Sequence, residues 1–355
     1  MIIHQNCRFF KGDVPCVYHK KEKVECGDCQ YYDPIKEKVL IIKLGAAGDV
    51  IRTTPILRKL KAEYPAAHIT WLTWSPELVP ADWVDEIYPF DLKHILTLQS
   101  SSFDLLLNLD KDKEACALTN QISAKVKKGF LLNDFNRCVP ANKDSEQKFF
   151  TGIFDSANKA NTKSYPEEIF EMCGYRFNGE KYILDNFSGV YPDWNIPENK
   201  PLIGLNTGCG GRWTSRLWSE ENWIGLARTL KSKGKGVLIL GGPDEHEKNL
   251  RIAKKSGATY LGHFPLKQFI NLVNQCNLVV TAVTMAMHIV IGLEKKLVLF
   301  NNIFNRHEFE MYGLGEILEP AIECDCYFSP KCPNNCMEHI YVETVIDACE
   351  RLLKE

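Results

Sequence analysis

A chain of 355 residues suggests about two domains of ordinary size. With 45% hydrophobic and 25% charged residues it has the proportions of a folded globular protein, which excludes a mainly disordered, fibrous or collagenous chain. Its 43 Lys and Arg stand against 45 Asp and Glu, and a formal charge of −2 is too balanced for a protein that coats nucleic acid.

In chain order, residues 1–36 carry Cys7, Cys16, Cys26 and Cys29 among turn formers, with little hydrophobic periodicity. The start, MIIHQNCRFFKGD, lacks a basic stretch followed by an unbroken apolar run, so no secretory signal is predicted and the expected location is cytoplasmic. In such a chain 14 cysteines point to thiols and metal ligands rather than to a disulfide framework. The first four, C-x8-C-x9-C-x2-C with His19 nearby, suit a structural zinc site in a segment too small to fold on an apolar core. An iron–sulfur cluster is the alternative occupant.

The main fold is expected from about Lys38, where VLIIKLGAAGD supplies a short β run and a glycine turn before a helix through IRTTPILRKLKAEY. Strands follow at HITWLTW (68–74) and FDLLLNLD (103–110), the latter ending at Asp110 and Lys111. Those two face either a cleft or a surface turn. Between about Phe130 and Asp193 the pattern breaks into aromatic and polar stretches, and YPDWNIPENKP reads as a domain connection.

A second series then opens: strands at 201–208, 236–242, 278–283 and 296–301, with helices from about Glu220 to Lys233 and Asp244 to Lys255. The longest apolar stretch, Leu278 to Leu293, is interrupted by Thr281, Thr284 and His288 and is shorter than the ~20 residues a membrane span needs, so it reads as core. The expected organisation is α/β, with two doubly wound domains at 37–193 and 194–355 behind a Cys-rich module at 1–36. The amphipathic helix at about 342–353 either stays with the second domain or packs back onto the first.

Ligands in such sheets lie beyond the carboxyl ends of the strands, which singles out three loops. In Gly45-Ala-Ala-Gly48-Asp49 the small residues permit close backbone approach, and Asp49 fits either a helix cap or a chemical role. Thr207-Gly-Cys-Gly-Gly211-Arg212, with Arg216 behind it, combines glycines with cations as a phosphate site requires, though it is neither a Walker A loop nor GxGxxG. Gly241-Gly242-Pro243-Asp244-Glu245 offers a carboxylate to ribose hydroxyls or simply starts a helix. His288, in VTMAMHIVIG, is either a satisfied core histidine or a ligand. Near the C-terminus Cys324, Cys326, Cys332 and Cys336 form C-x-C-x5-C-x3-C, a second metal site or a set of free thiols.

Over roughly residues 38–354 the chain resembles glycosyltransferase family 9, the heptosyltransferases of lipopolysaccharide assembly. The carriers are VLIIKLGAAGDVIRTTPILRKLKAEYP, IGLNTGCGGRWTSRLWSEENWIGLA, GVLILGGPDEHE, and MAMHIVIGLEKKLVLFN with CDCYFSPKCPNNCM. The resemblance implies a GT-B fold, two Rossmann-like domains facing a cleft, with acceptor mainly on the first and nucleotide-sugar on the second. It implies that Asp49 is the general base, and that Thr207, Gly208, Gly210, Gly211, Arg212 and Arg216 hold the donor's phosphates. Glu245 would hold ribose, and Thr284 and His288 belong to the family's Asp-Thr/Ser-Gly-x-x-His element. This chain departs there, with Val283 for the aspartate and Met285 for the glycine.

The activity so implied is inverting transfer of a heptose or related sugar from a nucleotide donor, ADP-linked by analogy, to a glycan or glycolipid such as lipopolysaccharide core. It needs no catalytic metal, and it places the enzyme at the cytoplasmic face of the inner membrane. Two alternatives stand beside it: a protein acceptor of the autotransporter type, and a nucleotide- or metal-binding relative without activity, suggested by Val283 and Met285. Acceptor choice is expected to lie in region 130–165, where Phe130, Phe135, Phe149, Phe150, Lys143 and Lys148 either meet an amphiphilic acceptor or are ordinary packing and surface.

Overall fold

The computed structural model describes residues 1–191, 194–196 and 200–354. Two α/β units follow the cysteine-rich segment. The first holds β1 (Lys38–Ile42), β2 (His68–Thr73), β3 (Glu86–Pro89), β4 (Ser102–Asn108), β5 (Ser123–Leu132) and β6 (Cys138–Pro140). Their order is β3-β2-β1-β4-β5-β6, parallel except for β6 on the edge. The second holds β7 (Leu202–Asn206), β8 (Gly236–Leu240), β9 (Leu278–Ala282), β10 (Lys296–Phe300) and β11 (Gly315–Leu318), all parallel in the order β11-β10-β9-β7-β8. Strand order reverses between β1 and β4 in one sheet and between β7 and β9 in the other. A crevice opens at the carboxyl ends at each such point.

The strands form because alternate side chains of short apolar runs can both be buried when helices cover the two faces of a parallel sheet. In the first domain Leu40, Ile42, Leu72 and Leu106 meet Leu98 and Leu118 on one face. Val39, Ile41, Trp71 and Leu107 line the other, where their cluster runs on through Val290 and Ile291 into Leu238, Leu240 and Leu299 of the second domain. The inner faces therefore share one continuous core. The helix Met285–Gly292 explains why: apolar along almost its whole circumference, it lies against the helix Ala47–Thr53 of the first domain as well as its own sheet.

Several expectations need correction. Pro55 interrupts the single helix foreseen after β1, giving Ala47–Thr53 and Ile56–Glu63. The region beyond Phe130 is more regular than its composition suggests: after β5 and β6 come helices Glu146–Thr151, Asp155–Ala160 and Tyr165–Met172. The last helix, Val342–Leu352, does not return to the first domain. Its buried face (Val345, Ile346, Cys349, Leu352) joins Trp218, Trp223 and Phe300 on the outer face of the second sheet, and Arg351 pairs with Glu316 at 2.7 Å. The proposed boundary at 193 lies outside the described residues. No helix among those described is long and apolar enough to cross a membrane.

Candidate functional site

Both crevices open into one cavity of about 700 Å³ between the domains, lined by Asp49, Arg52, Gly208, Gly210, Arg216, Glu245, Thr284, His288 and Glu308, among others. The loop after β1 is built around a buried carboxylate. Asp110 accepts hydrogen bonds from the N–H groups of Leu44 (2.9 Å) and Gly45 (3.2 Å) and from Lys43 Nζ (3.3 Å). Lys43 also donates to the Gly45 carbonyl at 2.6 Å and stands 3.8 Å from Asp49. Asp110 is thus a loop organiser in the interior, neither a surface turn nor a cleft group. Lys111 donates to the Lys148 carbonyl at 2.9 Å, and burial together with Lys148 pushes its ammonium down to about 8.

Asp49 lies in the first turn of helix Ala47–Thr53 with its side chain 30% exposed to the cleft. It does not cap that helix: Ala46 holds the cap position without a side-chain bond. Instead it binds Arg52, one turn on, at 2.9 Å. Burial alone would raise the Asp49 carboxyl, but Arg52, Lys43 and more distant cations outweigh it and hold the group at about 2. Arg52 is itself shared: it donates to Glu308 of the second domain at 2.8 Å and lies 3.5 Å over the Tyr165 ring. Gly48 faces His288 so closely that a Cβ there would come within 2.5 Å of the imidazole. Burial, with Arg52 acting in the same sense against Asp49, pushes His288 down to about 3, so the ring is neutral at physiological pH; its Nδ1 has no partner.

On the other wall Arg216 is buried, with 8% exposure, and no carboxylate among the described residues pairs with it. It donates to the carbonyls of Val283 and Cys209, the latter at 2.9 Å, while its Nε has no partner. Burial lowers its proton affinity. A guanidinium desolvated against neutral acceptors favours an anion arriving from the open side. Gly210 adopts a left-handed φ of 72° where the loop turns, which a side chain would strain. Glu245 accepts from the Gly242 N–H at 2.9 Å and packs onto Gly208. Thr284 caps helix Met285–Gly292 by accepting from Ala286 N–H at 3.2 Å.

Three of the expected donor residues stand elsewhere. Thr207 is buried and turned toward the helix behind it, donating to Asn249 at 2.5 Å. Gly211 and Arg212 lie on the exposed outer limb of the loop, and Arg212 rests 5.3 Å from the Trp213 ring. Sequence reasoning also passed over Lys43, Arg52, Glu308 and Lys248, whose Nζ ties down the Thr207 carbonyl at 2.9 Å. The i,i+3 spacing of Asp49 and Arg52 was the available signal; no local signal marks Glu308, 256 positions further on.

The two cysteine clusters exchange rank. Among the described residues, the four thiols that converge as ligands for one ion are Cys324, Cys326, Cys332 and Cys336, all within 4.8 Å of one another. Cys324 and Cys332 are 3.4 Å apart, Cys326 and Cys336 3.6 Å, and Cys332 and Cys336 3.5 Å. Tetrahedral metal–sulfur bonds of about 2.3 Å require sulfurs slightly under 4 Å apart, so the set fits a single ion. Cys7, Cys16, Cys26 and Cys29 form no such group, which removes the expected mononuclear zinc site there.

With this geometry in place, comparison with known proteins is direct. The sequence is 22% identical to lipopolysaccharide heptosyltransferase 2 of Salmonella typhimurium over 295 residues, 74% of this chain and 81% of the relative. The fold matches the structure of Escherichia coli ADP-heptose lps heptosyltransferase II with a TM-score of 0.65 at 17% identity, covering 89% of this chain and 98% of that one. It also matches the dodecameric iron-containing heptosyltransferase TibC of enterotoxigenic E. coli, solved in complex with ADP-D-beta-D-heptose, with a TM-score of 0.57 at 11% identity over 90% and 76% of the two chains. Residues 92–305, more than half of the chain, match the profile of glycosyltransferase family 9 (heptosyltransferase), and the protein is a member of that glycosyltransferase family.

Proposed function

We propose that the protein transfers a heptose from an ADP-linked donor to a hydroxyl of a glycan or glycolipid, with Asp49 as general base. The observation that supports this most is the pairing of opposite tools across one cleft: an ionised carboxylate on the first domain and, on the second, a buried Arg216 that no carboxylate among the described residues neutralises. In the reaction Asp49 takes the acceptor proton as the oxygen attacks the anomeric carbon, and the bond to the diphosphate breaks on the opposite face. Arg216 and the amides of the 208–210 turn receive the charge that develops on the leaving diphosphate. Neutral His288, beside Gly48, shapes the wall between the two without adding charge. The donor class, ADP-heptose, follows that of the similar heptosyltransferases.

Val283 and Met285 do not dismantle this arrangement. Arg216 uses the backbone carbonyl of residue 283, which any side chain leaves available, while Met285 lines the cavity and narrows the donor side. On the acceptor side Phe130 is core, and Lys148 is engaged by Glu168 at 2.6 Å, so neither is free for acceptor. Phe150, Ile153 and Phe154 remain exposed and offer an apolar patch to an amphiphilic acceptor or its membrane.

The direct test is ligand stabilisation. ADP is expected to raise Tm more than equal concentrations of UDP or GDP, and ADP-heptose to be turned over with a lipopolysaccharide-core acceptor. Equal response to all three nucleotides, or none, would overturn the donor assignment.

We further propose that a metal at the C-terminal cysteines holds the donor loop. The segment they fold donates Phe328 N–H to the Ile303 carbonyl (2.9 Å), and its Ser329 and Pro330 carbonyls accept from the Ser215 hydroxyl (2.7 Å) and N–H (3.0 Å). Asn302 ties the Ser215 carbonyl (2.7 Å) to Cys336 Sγ (3.3 Å). Ser215 adjoins Arg216. The double substitution Cys324→Ser, Cys332→Ser is expected to lose the metal by elemental analysis and to raise donor KM about tenfold, the worth of one hydrogen bond. A metal-free variant with wild-type KM would uncouple the two.

A further inference from the structure

The first 36 residues contain no buried position in their only α-helix, Val17–Glu22, and contribute nothing to the core clusters of the domains. Instead their turns range four thiols around one cavity. Cys7 sits at an antiparallel bridge to Pro34. Cys16 opens the helix, its Sγ accepting from His19 N–H at 3.4 Å. Cys26 starts a tight turn that Cys29 ends. All four line a single cavity of about 350 Å³. The remaining wall is largely apolar and aromatic, with Tyr18 stacked on Tyr31 at 3.9 Å and Phe9 edge-on to Tyr18 at 4.8 Å.

The two cysteine sets of this one chain calibrate each other. The C-terminal thiols crowd to the spacing of a single ion, whereas the N-terminal four surround a volume without grouping at any one point. Thiolates set apart around a space match a polynuclear occupant, in which each ligand meets its own metal atom and the body of the group fills the middle. We infer that Cys7, Cys16, Cys26 and Cys29 hold an iron–sulfur cluster of the [4Fe–4S] type. Each thiol gives up its proton to solvent on ligation, and two ferric ions, two ferrous ions and four sulfides come from outside the chain, so that no further oxidant is needed. The cluster then supplies the folding energy that so small a segment lacks.

Its place in the fold separates it from sugar transfer. Arg8, held within the module by Asp33 (2.9 Å), fastens it to the first domain by pairing with Asp85 and by donating to the Ala67 carbonyl (3.1 Å). Ala67 and Asp85 immediately precede β2 and β3, at the amino ends of the strands and opposite the cleft. This inference is independent of the proposed transfer reaction.

The test uses the full chain carrying Cys324→Ser and Cys332→Ser, so that only the N-terminal thiols remain as a set. Anaerobic reconstitution with ferric and ferrous iron in equal parts and sulfide, which together carry the charge of an oxidised [4Fe–4S]2+ core, is expected to give about four irons and four acid-labile sulfides per chain. A broad visible charge-transfer absorption that dithionite bleaches should accompany them. Adding Cys26→Ser and Cys29→Ser should abolish all three signals. Because that change can unfold the module, Cys16→Ser alone is examined by EPR after reduction, where three thiolates should give an altered cluster spectrum. Iron without labile sulfide, a single zinc in place of iron, no metal at all, a cluster that survives the loss of Cys26 and Cys29, or a spectrum unchanged by Cys16→Ser would each overturn the assignment.

Discussion

Asp49→Asn is expected to lower kcat by roughly 10²–10⁴ while ADP still stabilises the protein, because the amide keeps the shape of the carboxylate but cannot take the acceptor proton. The helix should not suffer, since Ala46 and not Asp49 occupies its cap. The pH profile adds a second check. With the carboxyl held at about 2, Asp49 stays ionised from neutrality down through the range where an ordinary aspartate protonates, so this group should produce no acid limb in kcat/KM above about pH 3. A variant that binds nucleotide and turns over near the wild-type rate would move the base elsewhere, and a neutral imidazole lining the same cleft makes His288 the next residue to substitute.

The second large effect is expected at Arg216. Arg216→Met preserves much of the buried stem and removes the charge, and donor KM should rise about 10- to 100-fold, matching ~1.5–3 kcal/mol for a hydrogen bond to a charged group. The stabilisation by ADP should fall in step. Part of the change acts through the loop, since Arg216 also holds the Cys209 and Val283 carbonyls. Arg212→Met serves as the comparison, because that side chain is exposed and lies outside the cavity wall. Equal losses at the two positions would mean that the phosphates sit on the outer limb of the loop instead.

The architecture was readable where burial imposes one pattern. Strands such as VLII and LVVT, covered on both faces, must be apolar throughout, and glycine-rich turns mark their carboxyl ends. The strand next to the edge was not readable: β5 runs Ser-Ala-Lys-Val-Lys-Lys-Gly with much of its length exposed, so its composition resembles a loop. The site shows the same division. Asp49, Glu245 and Arg216 follow strands at short distance and could be named from position alone. Glu308 could not, because its partner Arg52 is brought to it only when the two domains dock. Nor does spacing along a chain report distances between sulfurs. Both cysteine sets looked alike as letters, and only the folded turns distinguish thiols crowded at a point from thiols ranged around a cavity.

Arg52 divides one positive charge between Asp49 of the first domain and Glu308 of the second. Any rotation that parts the domains must sacrifice one of these bonds, and Asp49, on the same helix as Arg52, is the partner that travels with it. With the domains docked as they are, Glu308 takes part of the guanidinium's charge; without that bond the whole of it would fall to Asp49 and hold the carboxylate at its least basic. Domain angle and proton affinity become linked variables, each biasing the other.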